Sequence, residues 1–516
     1  MLKNKNEKEQ KRMKPNFIKP LFSLLLALLM LFPIAACAKK KDDVNGEETQ
    51  PTGSIDTVGD NVETDRSQIK DGVPDSFSMD GKVIRILTRD NELRQMDVDG
   101  GGELLGDVIH EAVYRRNETV KTRLDTDFEI TAIGGDYETF GSTMENGILS
   151  GDDLWDIVNT PGNASLTAQR DYLFMALENN PWLDFENPWW NSNAMQEISN
   201  DGQKIRYLVG DISLSMHHYS GAIFFNKKLL MQSGINPKKL YQTVIDGDWT
   251  YEKMGEIASE VYIDKSGDGE VNEGDQLGFS IYTTEDLKYL EYGIELRRYS
   301  RNEDGVVVID FDTDRAATAV EAILKLTYNT EGVKYFDAET RNFSDFSSGK
   351  TVFISAFLGA TTYGAVRSMT DAYGIIPYPK LDSTQEKYNG YIHDSAAYYA
   401  IPITCENADD IGAVLEVLCA ESYRSVVEVY FETALKARYA HDTETGQCID
   451  IIREVSAKNF LTEHNKMVSY SGFLIAKQAK TGQNQFASDY AEVVGKANSA
   501  IQDLIDSYNK LDSSNT

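Results

Sequence analysis

Cysteine is scarce: four residues in 516, none in a CxxC spacing. Neither a disulfide framework nor a cysteine-built zinc site therefore organises this chain. Histidine is as sparse, at six. No HExxH, GxSxG or Walker-type glycine loop occurs, which removes the readings those motifs carry. Basic charge is the third deficit. Fifty-one Lys and Arg stand against 82 Asp and Glu, a formal net charge of −31. So acidic a surface repels phosphate backbones and anionic headgroups, which argues against nucleic acid as a partner. With so many carboxylates some pair always lies close, so pairing alone carries no signal for a glycoside hydrolase.

The run LFSLLLALLMLFPIAA, Leu21 to Ala36, carries no charge; Lys11, Arg12, Lys14 and Lys19 precede it and Cys37 closes it. A bilayer core needs roughly 20 apolar residues, so the run is short for a stable span. A basic n-region, a short apolar h-region and small residues before a cleavage point describe a secretory signal. Met13 serves equally well as the start. Ile34-Ala35-Ala36-Cys37 resembles the lipobox of bacterial lipoproteins. That resemblance implies cleavage before Cys37, a diacylglyceryl group on its sulfur and attachment to the outer face of the cell membrane. An ordinary signal peptide or a short anchor is the alternative. Residues 38–80 are polar and nearly free of aromatics. Such composition cannot offset its own ordering entropy, so a flexible tether is expected there.

Beyond the tether the length allows more than one core. Residues 82–88 read as a buried strand, 107–124 as an amphipathic helix, 127–133 as a strand, 137–149 as a helix and 154–160 as a third strand. That alternation describes a parallel α/β sheet. Ligands bind beyond the carboxyl ends of such strands, which points to Arg89-Asp90 and to Pro161-Gly162-Asn163. Three of the five tryptophans cluster in NNPWLDFENPWW, residues 179–190. Packing between elements is their expected role. Cys405, Cys419 and Cys448 are expected as free buried thiols, with a Cys405–Cys419 bridge as the alternative.

From Lys204 to Leu229 the chain reads KIRYLVGDISLSMHHYSGAIFFNKKL, followed by GINPKK and GDWTYEKMGEIA. FSSGKTVFISAFLGA (346–360), YGIIPYPK (373–380) and SAAYYAIP (395–402) come later in the same order. Together these resemble the extracellular solute-binding proteins of ABC-transporter family 1, the maltose-binding-protein-like class. The resemblance extends over about residues 80–516. It implies an α/β fold of two lobes of the type II periplasmic-binding-protein kind, joined by crossing hinge strands, with one ligand between them. The first lobe is then expected at about 80–218 and 353–402, and the second at about 219–352 and 403–516. It further implies a binding protein rather than an enzyme. The expected protein is a monomer that takes a carbohydrate, an oligosaccharide by expectation, to the transmembrane subunits of an ABC permease. A glycan sensor or adhesin without transport, or a surface glycoside hydrolase, is the alternative. By family position the ligand residues are Arg89, Asp90, Asn163, Tyr219, Phe357, His393 and Asp394. Each also has an ordinary structural explanation, such as an Arg89–Asp90 pair or a His393-Asp394 turn cap.

One local motif stands apart. Asp264-Lys-Ser-Gly-Asp-Gly-Glu-Val-Asn-Glu-Gly-Asp275 follows the twelve-residue calcium loop. Asp264, Ser266 and Asp268 take positions 1, 3 and 5, with Gly269 at the sharp turn. Glu270 offers its carbonyl at 7, Asn272 stands at 9 and Asp275 at 12. Serine at 3 and the short aspartate at 12 depart from the pattern, and an acidic turn without metal is the alternative. A structural Ca2+ is the expectation.

Overall fold

The computed structural model describes residues 66–91, 94–102, 107–166, 170–199, 203–432 and 442–514. Cys37 and the signal stretch lie outside them. Among the described residues thirteen strands follow in chain order. They are β1 (Val83–Arg89), β2 (Asp127–Ile133), β3 (Ile157–Pro161), β4 (Gly221–Asn226), β5 (Leu277–Ile281), β6 (Tyr299–Arg301) and β7 (Val307–Ile309). Then come β8 (Val333–Tyr335), β9 (Thr351–Phe357), β10 (Tyr373–Ile376), β11 (Gly390–Tyr391), β12 (Ala397–Ala400) and β13 (Ser456–Ala457).

Local chemistry explains the first elements. Asp107 caps the helix Val108–Leu124 by accepting from the amides of Ile109 and His110. Its buried Ile109, Ala112, Val113, Val120 and Leu124 form one face. Asp136 caps Tyr137–Leu149 in the same way through the Thr139 amide. These helices connect β1, β2 and β3, and β1 runs parallel to both neighbours. The first sheet has the order β12-β3-β1-β2, with β12 antiparallel to β3.

The second sheet has the order β10-β4-β9-β5-β8. β4 and β9 are buried along their whole length, as central strands covered on both faces must be. They pair antiparallel from Gly221 opposite Phe357 onward. Gly221 is required by contact, because a Cβ there would stand 2.4 Å from Tyr289 Cδ1. Residues 353–357 and 373–376 were expected in the first lobe; both strands belong to the second sheet. Apolarity on both faces suits β9 to the centre of either sheet, and pairing between β4 and β5 places it.

The C-terminal part is shared rather than confined to the second lobe. The helix Ala408–Glu421 buries Ile411, Val414, Leu415 and Leu418 in the core of the first sheet. Arg116 of the first lobe donates to Ser422 Oγ at its end (3.1 Å). The helices Leu474–Thr481 and Phe486–Ser514 pack with the second core.

Residues 66–80, expected as tether, dock on the first lobe instead. Val73 and Met79 are buried in its core. Asp71 accepts from Arg123 Nη1 and Nη2 (2.8 and 2.7 Å) and from Arg424 Nη2 (3.0 Å). The segment is polar, but long-range ion pairs and two apolar anchors hold it.

Candidate functional site

Two described chain segments cross between the two lobes, and a third segment lies against them. The helix Leu214–His218 leads from the first lobe into β4. Residues 390–397 return from β11 to β12, and β13 pairs with β11 beside them. They are laced together by backbone bonds. His393 N donates to Tyr219 O (3.3 Å) and Ile392 N to Ala457 O (3.2 Å). Lys458 Nζ donates to His393 O (2.8 Å).

Four of the expected ligand residues meet at this junction. The Tyr219 ring lies 5.7 Å from His393 and 5.6 Å from Phe357, centroid to centroid. His393 Nδ1 is 3.1 Å from Asp394 Oδ1, and its Nε2 is 2.9 Å from Glu285 Oε2. Burial opposes ionisation of Glu285, but His393 and Lys288 outweigh it and hold the carboxyl below the usual carboxylate range. His218 packs against Tyr219 and Phe357 at 5.0 and 5.6 Å. Burial pushes its ring down to about 4, so it is neutral near pH 7. Arg341 covers Phe357 with its guanidinium 5.1 Å from the ring centroid, while its Nε donates to Asp286 (2.6 Å). Phe357 is consequently 4% exposed. In this conformation its ring is packed rather than offered as an open stacking face.

The residues at the ends of the first-sheet strands are placed differently. Arg89 does not pair with Asp90. Its guanidinium lies 4.2 Å over the Tyr137 ring and donates to Gly135 O at 2.8 and 3.1 Å. Asp90 is exposed, 3.9 Å from Arg94. Asn163 falls in the short helix Gly162–Ser165, and its side chain lies outside the described residues. Tyr137 connects this end to the junction through a 2.8 Å hydrogen bond with Ser395 Oγ. Gly162 abuts the same region, since a Cβ would stand 2.6 Å from Glu463 Oε2. Glu463 is buried with Lys458 in a 3.0 Å ion pair and accepts from the Tyr398 hydroxyl.

A cavity of about 510 Å³ opens beside the crossings, between the tryptophan segment of the first lobe and the segment from β13 to Lys458. That volume falls in the range of small-molecule sites. Its wall includes Trp189, Trp190, Asn191, His217, Arg453 and Lys458. The tryptophans do pack as expected: Trp190 Nε1 donates to Glu416 (2.7 Å), and Trp182 meets Phe77 edge-on. Trp189 and Trp190 line the cavity as well. Their clustering was the sequence signal for it.

The acidic loop connects the helix Tyr251–Glu260 to β5. Gly267 and Gly269 take left-handed conformations, φ 73° and 77°, which allow the sharp turn. Asp264 accepts from the amides of Gly267 (2.6 Å) and Gly269 (3.0 Å). Asp268 accepts from Glu270 N and Asn272 Nδ2, both at 2.9 Å. Asp275 accepts from the amides of Lys265, Ser266 and Asn272, and from the Tyr262 hydroxyl. Ser266 donates to Asp264 (3.1 Å). The donor set is all oxygen, as Ca2+ requires. Its carboxylates point at loop donors rather than one centre, and no three His, Cys, Asp or Glu side chains converge as a metal cluster among the described residues. Cys405, Cys419 and Cys448 are free and buried.

No family model and no curated protein matches the chain. Solved structures do. A cyclic α-maltosyl-1,6-maltose binding protein from Arthrobacter globiformis aligns with TM-score 0.53 and 11% identity, covering 82% of this chain and 99% of that one. An ABC transporter solute-binding protein from Thermotoga lettingae, bound with α-D-tagatose, aligns with TM-score 0.50 and 12% identity, covering 82% and 100%. At such identity the likeness establishes the fold: this chain has the two-lobe fold of the ABC-transporter solute-binding proteins. Both of these neighbours are binding proteins rather than enzymes. No helix among the described residues is long and apolar enough to cross a membrane.

Proposed function

We propose that this protein is a lipid-anchored extracellular solute-binding protein that captures a carbohydrate and delivers it to an ABC permease. The observation that carries the reading is the pair of sheets joined by two described crossings, with aromatic and charged side chains gathered where the strands end. Lobes joined in this way can close around a ligand by rotation about the crossings. Aromatic faces suit the C–H surfaces of a sugar, and flanking charged groups suit its hydroxyls. The lipobox-like Ile34–Cys37 sequence supports the anchor. Capture and release without chemistry fits the lack of any catalytic motif in the sequence. We assign the 264–275 loop a structural Ca2+, for which its amide-bound carboxylates would turn inward.

A thermal-shift screen of the chain from Ala38 onward, against glycans, peptides and polyamines, tests the function. A ligand present at 100 times its Kd adds about 2.7 kcal/mol, which a melting curve resolves. A shift with a glycan that is recovered intact supports the reading. Recovery of a cleaved glycan, or a shift with peptides or polyamines alone, refutes it.

A further inference from the structure

The cavity beside the crossings has an imbalance of hydrogen-bonding groups. Arg453, in the last turn of the helix Thr443–Val455, lines it half-buried. Its guanidinium stacks 4.7 Å from the Phe431 ring and makes no hydrogen bond or ion pair among the described residues. Trp189 lines the same cavity, is 1% exposed, and its Nε1 has no hydrogen-bond partner among the described residues. Ser456 Oγ, on the same wall, is buried without a partner as well.

The guanidinium and the indole can only donate. A buried donor left unmade costs about 1–3 kcal/mol, and such groups are rare in native proteins. Of the other charged groups on the wall, Asp211 lies 3.4 Å from His217 Nε2, Lys458 is paired with Glu463, and Glu186 is exposed. Arg453, Trp189 Nε1 and Ser456 Oγ are thus donors on one wall that no described acceptor meets.

We infer that this cavity binds the carboxylate of an acidic sugar, with Arg453, Trp189 Nε1 and Ser456 Oγ donating to it. The cargo is then a uronic-acid-containing glycan. Arginine is suited to this because its planar fork meets a carboxylate with two parallel N–H···O bonds. The inference rests on the carbohydrate-binding reading above and narrows its ligand class. A cargo of this class arrives despite the acidic surface because the cavity supplies a local cation, and screening at physiological salt confines the repulsion to about 8 Å.

Calorimetric titration of the whole chain from Ala38 onward with trigalacturonate, and with neutral galactotriose as its counterpart, tests the inference. Trigalacturonate is expected to bind at least tenfold more tightly than galactotriose. Arg453→Gln should erase that preference, while Arg453→Lys should restore part of it, with melting temperatures confirming that both variants fold. Trigalacturonate bound equally well by Arg453→Gln would overturn the inference and leave carbohydrate capture standing. Binding of neutral glycans alone would do the same. If glycans of neither kind bind, the reading of capture itself falls, and the inference with it.

Discussion

Asp71 offers the sharpest test of the architecture, because it decides whether residues 66–80 belong to the folded body. Its side chain is 2% exposed and meets two guanidinium groups from distant parts of the chain. Arg123 is bound bidentately and also donates to Val73 O (2.9 Å); Arg424 adds a third charged contact and donates to Ile69 O. Removing one member of a buried ion pair costs about 3–5 kcal/mol. The two arginines are 22% and 13% exposed and can recover some hydration, so the lower end applies. Asp71→Asn is thus expected to cost about 3 kcal/mol and to lower Tm by about 5 °C. Trypsin should also cut after Lys70 faster in the variant, since the segment loses its clamp. The acid dependence follows from the charge. Burial opposes ionisation of Asp71, but Arg123 and Arg424 override it and hold the carboxyl below its ordinary value. Its stabilisation is therefore present above the unfolded carboxylate range and lost as pH falls through the lowered folded value. The gap between wild type and variant should be full at pH 7 and close as pH falls below the ordinary carboxylate range. Equal melting and equal tryptic rates at pH 7 would refute the docking.

Glu416 carries the opposite dependence. Burial pushes its carboxyl up to about 7, against the donors Trp190 and Asn187. Its contribution is fully present below the unfolded value and lost as pH rises toward 7. Urea midpoints should fall for the wild type between pH 5 and 8, with a shallower slope in Glu416→Gln; identical slopes would contradict this. For the calcium loop, EGTA is expected to lower Tm without abolishing ligand binding, and Asp264→Ala should remove the response to calcium. An unchanged melting curve, with no calcium in the purified protein, would rule the metal out.

The first lobe was largely legible from the residue pattern. Strands and helices over 82–160 follow from alternation and 3.6-residue spacing, and Asp107, Asp136 and Thr250 mark helix starts by local hydrogen bonds. These signals act within a few residues, so the sequence carries them openly. The motif order also placed Tyr219, Phe357, His393 and Asp394, which do gather at the junction. It did not convey that Phe357 is covered by Arg341, since their approach depends on how two distant segments fold together.

What the sequence determined alone was the set of elements, their caps and the apolar strands able to sit at a sheet centre. Which sheet β9 enters was left to pairing, because a strand apolar on both faces fits either one. The docking of 66–80 was decided by Arg123 and Arg424, which no local composition can reveal. Arg453 reads in the sequence as one more basic residue in the last turn of a helix, where such residues are common. Only the tertiary structure sets it beside Trp189 with no acceptor in reach among the described residues. Whether a donor is satisfied depends on groups far away in the chain, and that is settled in three dimensions.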